Sequence, residues 1–580
     1  MSLSFEKLNV VHQVDPRVDL LAESKKQYGV LTSGVDTIWQ GFQATSLSNN
    51  NITFTANPSS ARIFVNRRMY TRVQFQITFT GISAAPGMTL LQCMGLSLDP
   101  SAAPGVSVGT AYADAPRCLP LSQACSTQRL SLNNYNITQN INQYFRIFQR
   151  YHNPIDNQDR YASLSPSMPD QSQAYSDLFG FARTPLKAYG DNVVECPRGG
   201  FVGATIVRND ATGIADTAIV NLDVFEPIYL NPALFGYREE SQGFLNLQNL
   251  SINLTLQGRS NGVLGGLAAS LWSHDAVNNP ATISSTSVSV LSAQAYFNYI
   301  TPDLVMDIPK EINYQYFEPY YSSVNQVGPV LAGATQTIQG NTLQLSSVPN
   351  RVYLWVAEQD VDFDMTKTDT FFQITNVSIA FADRNPLVST MSPYDLYLAA
   401  VRNGCNLSWT QWSKHVGSVV CLSFGLDIPM SELLAPGVME KVNFQATVTC
   451  KNLSGRTITP TLGILLVSEG VATISPLECK TNIGVLTGKD VLEAKKQTPV
   501  PYQTTENIYG GKFSFSDFLS ILRRGARGAL NVAKAVVPHA APQYATALSA
   551  ADQLAQAIGV GAPMGGRALP RRRMLTMLRR

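Results

Sequence analysis

At 580 residues the chain is too long for one hydrophobic core, and two or more domains are expected. Its 44% hydrophobic and 14% charged residues leave it poor in solvated charge against a usual share of about 25%, so either a neutral Ser/Thr/Asn/Gln surface or cover by sister subunits is implied. A net charge of +2 hides a polarity: from Lys512 onward eleven Lys and Arg face two Asp, a tail of +9 on a body of −7.

Met1 to Ser33 reads as a polar arm without a charged leader or apolar run, and no stretch approaches membrane-span length, so a protein made and folded inside a cell is expected. Strands are predicted from Asn51–Thr55 and Thr71–Gly81, where Val73, Phe75, Ile77 and Phe79 alternate with polar neighbours. Further candidates are Gln128–Thr138, Gly200–Arg208, Ala218–Glu226, Leu245–Leu256 and Thr286–Asn298. Between Tyr144 and Gly190 lies a long polar insertion with helical pieces near Ile141–Arg150 and Gln173–Phe181, the kind of excursion that forms a tower or interface loop.

Two prolines frame a domain joint at Ile300–Pro309. A second strand series follows at Ile312–Phe317, Thr335–Leu345, Arg351–Val356, Phe371–Ala382, Cys405–Thr410 and Ile458–Val467. Between the last two lies the clearest stretch, Gly417 to Asn452. Val419 to Phe424 is apolar on both sides, and Val442, Phe444, Ala446, Val448 and Cys450 alternate with polar residues; if these two strands pair, they are antiparallel. Each half offers about eight strands and no βαβ alternation, so the fold is expected to be all-β: two consecutive eight-stranded antiparallel jelly rolls, or a double jelly roll. The expected units are an arm at 1–33, sandwiches at 34–300 and 301–497, and a helical, basic C-terminal extension at 498–580. In that extension Phe515, Phe518, Leu519, Leu522, Ala526 and Leu530 share one helical face, with Arg523, Arg524, Arg527 and Lys534 flanking the other; Arg571, Arg572, Arg573, Arg579 and Arg580 end the chain.

Chemistry is sparse. The five histidines are scattered without metal spacing, and no GxSxG or Walker A motif occurs. The eight cysteines form no CxxC and read as buried reduced thiols. No catalytic, cofactor-binding or metal residues are assigned. Trp409 and Trp412 beside His415 fit aromatic packing better than a ligand pocket, and Glu358, Asp360, Asp362 and Asp364 fit an acidic loop better than a cation site. The basic tail is the one strong signal, and three readings compete for it: nucleic-acid contact, a membrane interface, or a helix packed on the acidic body.

The ordered series SVPNRVYLWV (Ser347–Val356), SPYDLYLAAVRNGCNLSWTQW (Ser392–Trp412), GSVVCLSFGLDI (Gly417–Ile428), APGV (Ala435–Val438) and IGVLTGKDVLEA (Ile483–Ala494) resembles the C-terminal jelly roll of double jelly-roll major capsid proteins of polinton-like viruses, adintoviruses and virophages. YGDNVVECPRGG (Tyr189–Gly200) and EPIYLNPALFG (Glu226–Gly236) are similar to that family's first jelly roll. The resemblance covers Gly34 to Ala494. It implies three chains per pseudo-hexagonal capsomer, an icosahedral virion shell, no enzyme activity and no cofactor. It also implies the chain itself as the main partner, with minor capsid or vertex proteins beside it. The Arg-rich tail departs from that pattern and looks more like the membrane-active segments after the shell domain of some RNA-virus capsid precursors, such as those of birnaviruses. The rival is a carbohydrate- or receptor-binding β-sandwich, which calls for a concave aromatic groove.

Overall fold

The computed structural model describes residues 36–491, apart from 58–63, 83–87, 93–96, 99–113, 152–202, 229–243, 302–310, 322–327, 368–370, 475–478 and a scatter of shorter loop positions. The first half supplies β1 (Asp36–Gln43), β2 (Ser46–Leu47), β3 (Asn51–Ala56), β4 (Phe64–Ile82), β5 (Ser97–Leu98), β6 (Asp114–Pro116), β7 (Cys125–Leu132), β8 (Tyr135–Gln139), β9 (Ala204–Asn209), β10 (Thr217–Pro227), β11 (Leu250–Leu256), β12 (Trp272–His274) and β13 (Thr282–Thr301). The second supplies β14 (Glu311–Tyr321), β15 (Thr335–Gln339), β16 (Leu343–Leu345), β17 (Arg351–Glu358), β18 (Gln373–Phe381), β19 (Arg384–Leu387), β20 (Val419–Ser423), β21 (Val442–Lys451), β22 (Pro460–Ile474) and β23 (Cys479–Ile483). Among the described residues the α-helices between them are α1 (Pro120–Ala124), α2 (Ile141–Tyr151), α3 (Gly266–Leu271) and α4 (Pro393–Arg402).

The first half folds into a six-stranded sheet, β1-β13-β4-β10-β9-β5, facing a five-stranded one, β2-β3-β11-β7-β8. In the second half β14-β22-β17-β20, with β23 also on β22, faces β15-β21-β18-β19, with β16 also on β21. Among the described residues every strand pair is antiparallel except β5 with β9. Lettered B to I along the chain, the main strands of each half give one sheet ordered B-I-D-G and one ordered C-H-E-F, the wiring of a jelly roll written twice. The sheets hold more strands than the eight expected, because β2, β5 and β9 add to the first sandwich and β16 and β23 to the second.

Period-two alternation builds the core. In β21, Val442, Phe444, Ala446, Val448 and Cys450 are buried while Asn443, Gln445, Thr447 and Thr449 face outward. Each buried Val or Phe contributes about 1.5–3 kcal/mol of transfer free energy. β17 and β20 differ, with all eight residues of β17 and four of five in β20 buried, so both faces of that sheet are covered.

Val419–Ser423 and Val442–Lys451 do not pair with each other, because the chain crosses from one sheet to the facing one between them, so the condition for an antiparallel pair does not arise. Three expectations are corrected. The strand expected at Cys405–Thr410 is absent: helix α4 precedes that segment and a π-turn at Gln411–His415 follows it. The helix starts where the Ser392 and Asp395 side chains each bond the other's backbone, with Pro393 at its first position. Gln128–Thr138 is a hairpin of two strands turning at Asn133, whose φ is 52°. Thr335–Leu345 breaks at Gly340, where a Cβ would sit 3.0 Å from the Ala446 carbonyl oxygen. Strand β1 was not expected, since its residues are exposed on both faces and carry no alternation.

Candidate assembly surfaces

Where the two sandwiches meet, the first contributes arginines and the second contributes carbonyls, a carboxylate and aromatic faces. Helix α2 buries Ile141, Tyr144, Phe145 and Ile147 against its own half. Arg146 and Arg150, four residues apart, therefore emerge together on one side. Arg146 Nη2 donates to Asp360 Oδ1 at 3.1 Å, and Arg150 Nη1 donates to the Gly417 carbonyl at 2.8 Å. Arg259, beyond β11, donates to the same Asp360 oxygen through Nε at 3.2 Å and Nη2 at 2.9 Å. Arg117 Nη2 donates to the Asp364 carbonyl at 3.1 Å. All four arginines are buried.

Aromatic faces complete the clamp. Arg259 lies 3.6 Å and Arg117 4.8 Å from the Phe363 ring centre; Arg150 lies 3.9 Å and Arg146 5.7 Å from that of Phe371. The guanidinium group is planar, weakly hydrated and able to stack, which suits it to this dry position better than an ammonium. The main chains join as well, His274 N donating to the Met365 carbonyl at 2.7 Å and Met365 N to that of Leu264 at 2.9 Å. Tyr151 sets its ring edge-on to Tyr353 at 5.0 Å and donates its hydroxyl proton to the Val419 carbonyl. Burial and neighbouring Cys405, Cys421 and Tyr353 hold the Tyr151 phenol well above its ordinary pKa. This helix end is part of what covers the outer faces of β17 and β20.

The acidic stretch is thereby accounted for. Asp360 receives two arginines, and Glu358 receives the fork of Arg456 and, at 3.4 Å, Lys367. Among the described residues no group of three or more His, Cys, Asp or Glu is placed to hold a metal ion. Three buried acids stand apart; one, Asp427, accepts from Asn403 Nδ2 at 3.0 Å and the Ser423 amide at 2.8 Å and pairs with Arg402. Asp114 accepts from Asn279 Nδ2 at 2.7 Å and the Gln92 amide at 2.8 Å, with His274 Nδ1 at 2.5 Å. Glu226 accepts from the Leu121 and Ser122 amides and the Ser122 hydroxyl; desolvation outweighs these donors and lifts its pKa to about 7.

Outward-facing apolar groups gather at a few places. Trp39, on edge strand β1, is 50% exposed beside Ile38. Its ring meets Tyr70 at 5.7 Å, Tyr70 stacks on Phe225 at 5.3 Å, and Phe225 meets Tyr296 at 5.8 Å, an aromatic row across four adjacent strands. On the second sandwich Tyr394 is 50% exposed and Leu398 lies one turn on, along α4. Behind them Tyr397, Trp409 and Trp412 pack ring to ring at 5.4–5.8 Å, and Trp412 Nε1 donates to the Val419 carbonyl. The Trp pair is thus structural packing under an exposed helix. Exposed apolar clusters of this kind mark contact surfaces.

The tail residues expected to meet nucleic acid or membrane, Arg523, Arg524, Arg527, Lys534, Arg571, Arg572, Arg573, Arg579 and Arg580, lie outside the described residues, as do Met1–Ser33 and Gln173–Phe181. The junction arginines were missed because their partners lie 101 to 267 residues away.

Comparison with known proteins agrees with this architecture. Residues 5–300 match the Sputnik virophage major capsid protein first domain, and residues 317–416 and 413–470 match the major capsid protein V20 C-terminal domain. The chain is 29% identical over 553 residues to the putative capsid protein V20 of Sputnik virophage, covering 90% of this chain and 87% of that protein. A chain of the cryo-EM structure of the Sputnik virophage superposes with a TM-score of 0.70 at 28% identity, covering 88% of this chain and 100% of that one. The mavirus major capsid protein shares the fold, with a TM-score of 0.58 at 13% identity over 86% of this chain and 100% of its own. With its double jelly roll and a family match across the whole first sandwich, the chain belongs to the virophage major capsid protein family.

Proposed function

We propose that three copies of the chain close into one capsomer of six sandwiches, and that capsomers tile an icosahedral shell. The observation that carries this reading is the repeated B-I-D-G and C-H-E-F wiring, which lets three chains present six similar units. The units are residues 34–300 and 301–497, with 1–33 as an arm and 498–580 as a tail. The protein works by association and catalyses no reaction. Individually weak contacts suffice, since each copy makes several at once. Assembly takes place inside the host cell, with minor proteins completing the vertices. The tail, through Arg523, Arg524, Arg527, Lys534 and the Arg571–Arg580 cluster, engages phosphate groups of nucleic acid or of a lipid surface.

Sedimentation of the purified full chain tests the first point: a species of three times 63.2 kDa is expected, and a monomer at micromolar concentration would contradict it. For the tail, retardation of nucleic acid and leakage of anionic vesicles separate its two phosphate sources.

A further inference from the structure

The connection from β20 to β21 holds three large apolar side chains away from the body: Leu426 is 54% exposed, Leu433 50% and Met439 58%. The loop that carries them is tied down. Asp427 accepts from Asn403 Nδ2 and the Ser423 amide, Gly425 N donates to the Ile428 carbonyl at 2.8 Å, and Gly437 N donates to that of Val348 at 2.9 Å. A loop fixed in this way presents apolar surface for contact.

The described chain ends against the same surface. Leu486 forms a parallel bridge with Val438, accepts from Met439 N at 3.0 Å and donates through its own amide to the Gly437 carbonyl at 3.1 Å. A Cβ on Gly488 would lie 3.8 Å from the Leu433 carbonyl oxygen, and Val491 is buried. Everything beyond residue 491 therefore departs from beside this apolar patch. The next stretch with an apolar helical period is 515–530, where Phe515, Phe518, Leu519, Leu522, Ala526 and Leu530 share one face. Residues 492–514 connect the two, and as a coil that length spans on the order of 25–30 Å. A tail of +9 is also drawn to a body of −7.

We infer that the apolar face of 515–530 docks on Leu426, Leu433 and Met439 of its own chain. Charges in and beside the loop nearly balance, Glu432, Glu440 and Asp490 against Lys441 and Lys489, so no strong acidic seat draws the tail arginines inward. Apolar contact orients the segment instead, as when an amphipathic helix lays its apolar face on a hydrophobic surface. The phenylalanines and leucines leave water, and Arg523, Arg524 and Arg527, on the other flank, point away from the body. Docking thus leaves the arginines free for phosphate. It requires neither the self-association nor the phosphate contact proposed above.

The test uses the full chain with photoreactive benzoylphenylalanine in place of Phe518, as an equal mixture of 14N- and 15N-labelled copies without nucleic acid or lipid. After irradiation and digestion, same-isotope adducts are expected on peptides holding Leu426, Leu433 or Met439. Mixed-isotope adducts there overturn the inference, because another copy then supplies the tail; adducts confined to other peptides, or none at all, overturn it too. Independently, Leu433→Asp combined with Met439→Asp, both at exposed positions, is expected to speed amide exchange across 515–530 at least tenfold with an unchanged circular dichroism spectrum. Unchanged exchange in that segment overturns the inference. Nucleic-acid retardation and vesicle leakage are read separately, and their failure removes the phosphate contact while leaving the docking in place.

Discussion

Asp360→Ala is the sharpest probe of the junction. The Asp360 carboxylate, about one-third exposed, accepts three hydrogen bonds on one oxygen from two buried guanidiniums, at 2.9, 3.1 and 3.2 Å. Hydrogen bonds to charged groups are worth about 1.5–3 kcal/mol each, and removing one partner of a buried pair leaves an uncompensated charge. The partial exposure of Asp360 and the stacking of the arginines on Phe363 and Phe371 both reduce that figure. A net loss of about 3 kcal/mol results, or roughly a hundredfold in the opening equilibrium of the junction. Hydrogen exchange of the full chain reads this directly: amides of α2 and of 353–365 should exchange about a hundredfold faster, and those of β4 and β21 should be unchanged. Asp360→Asn, which keeps an acceptor, should fall between. Exchange within threefold of the parent in the junction peptides would refute the clamp as the element that joins the sandwiches.

Three further outcomes follow from single sites. Glu226 has a folded pKa of about 7, above the ordinary carboxylate value, so the folded state holds its proton more tightly. Stability should fall as pH rises from about 4.5 to 7, by on the order of 3 kcal/mol, and flatten above; urea midpoints at several pH values should lose this slope in Glu226→Gln. Gly463→Ala would place a Cβ 2.1 Å from the Trp355 ring and should cost about 2–3 kcal/mol in denaturant unfolding. Burial holds the thiols of Cys421 and Cys450 up at about 12 and that of Cys479 at about 11, so these sites should resist thiol reagents at pH 8 until the chain unfolds, as peptide mapping would show.

Much of the fold was legible because burial on one face writes a period of two, as in β4, β18 and β21. The doubly buried β17 and β20 read as unbroken apolar runs, which marks them as covered on both sides without naming the cover. Strand β1 escaped because an edge strand exposed on both faces has no pattern to read. Helix α4 was legible but overlooked: Ser392, Pro393 and Asp395 spell a helix start. The junction was not legible, since a buried arginine and a surface arginine look alike until the chain folds and their remote partners arrive. The same limit applies to Tyr394 and Leu398, whose exposure on α4 is a property of packing.

Imaging of the purified, assembled protein by electron microscopy tests the central claim most directly. Six sandwich-sized lobes arranged around a threefold axis are the predicted result. Single two-lobed particles that never associate would contradict it.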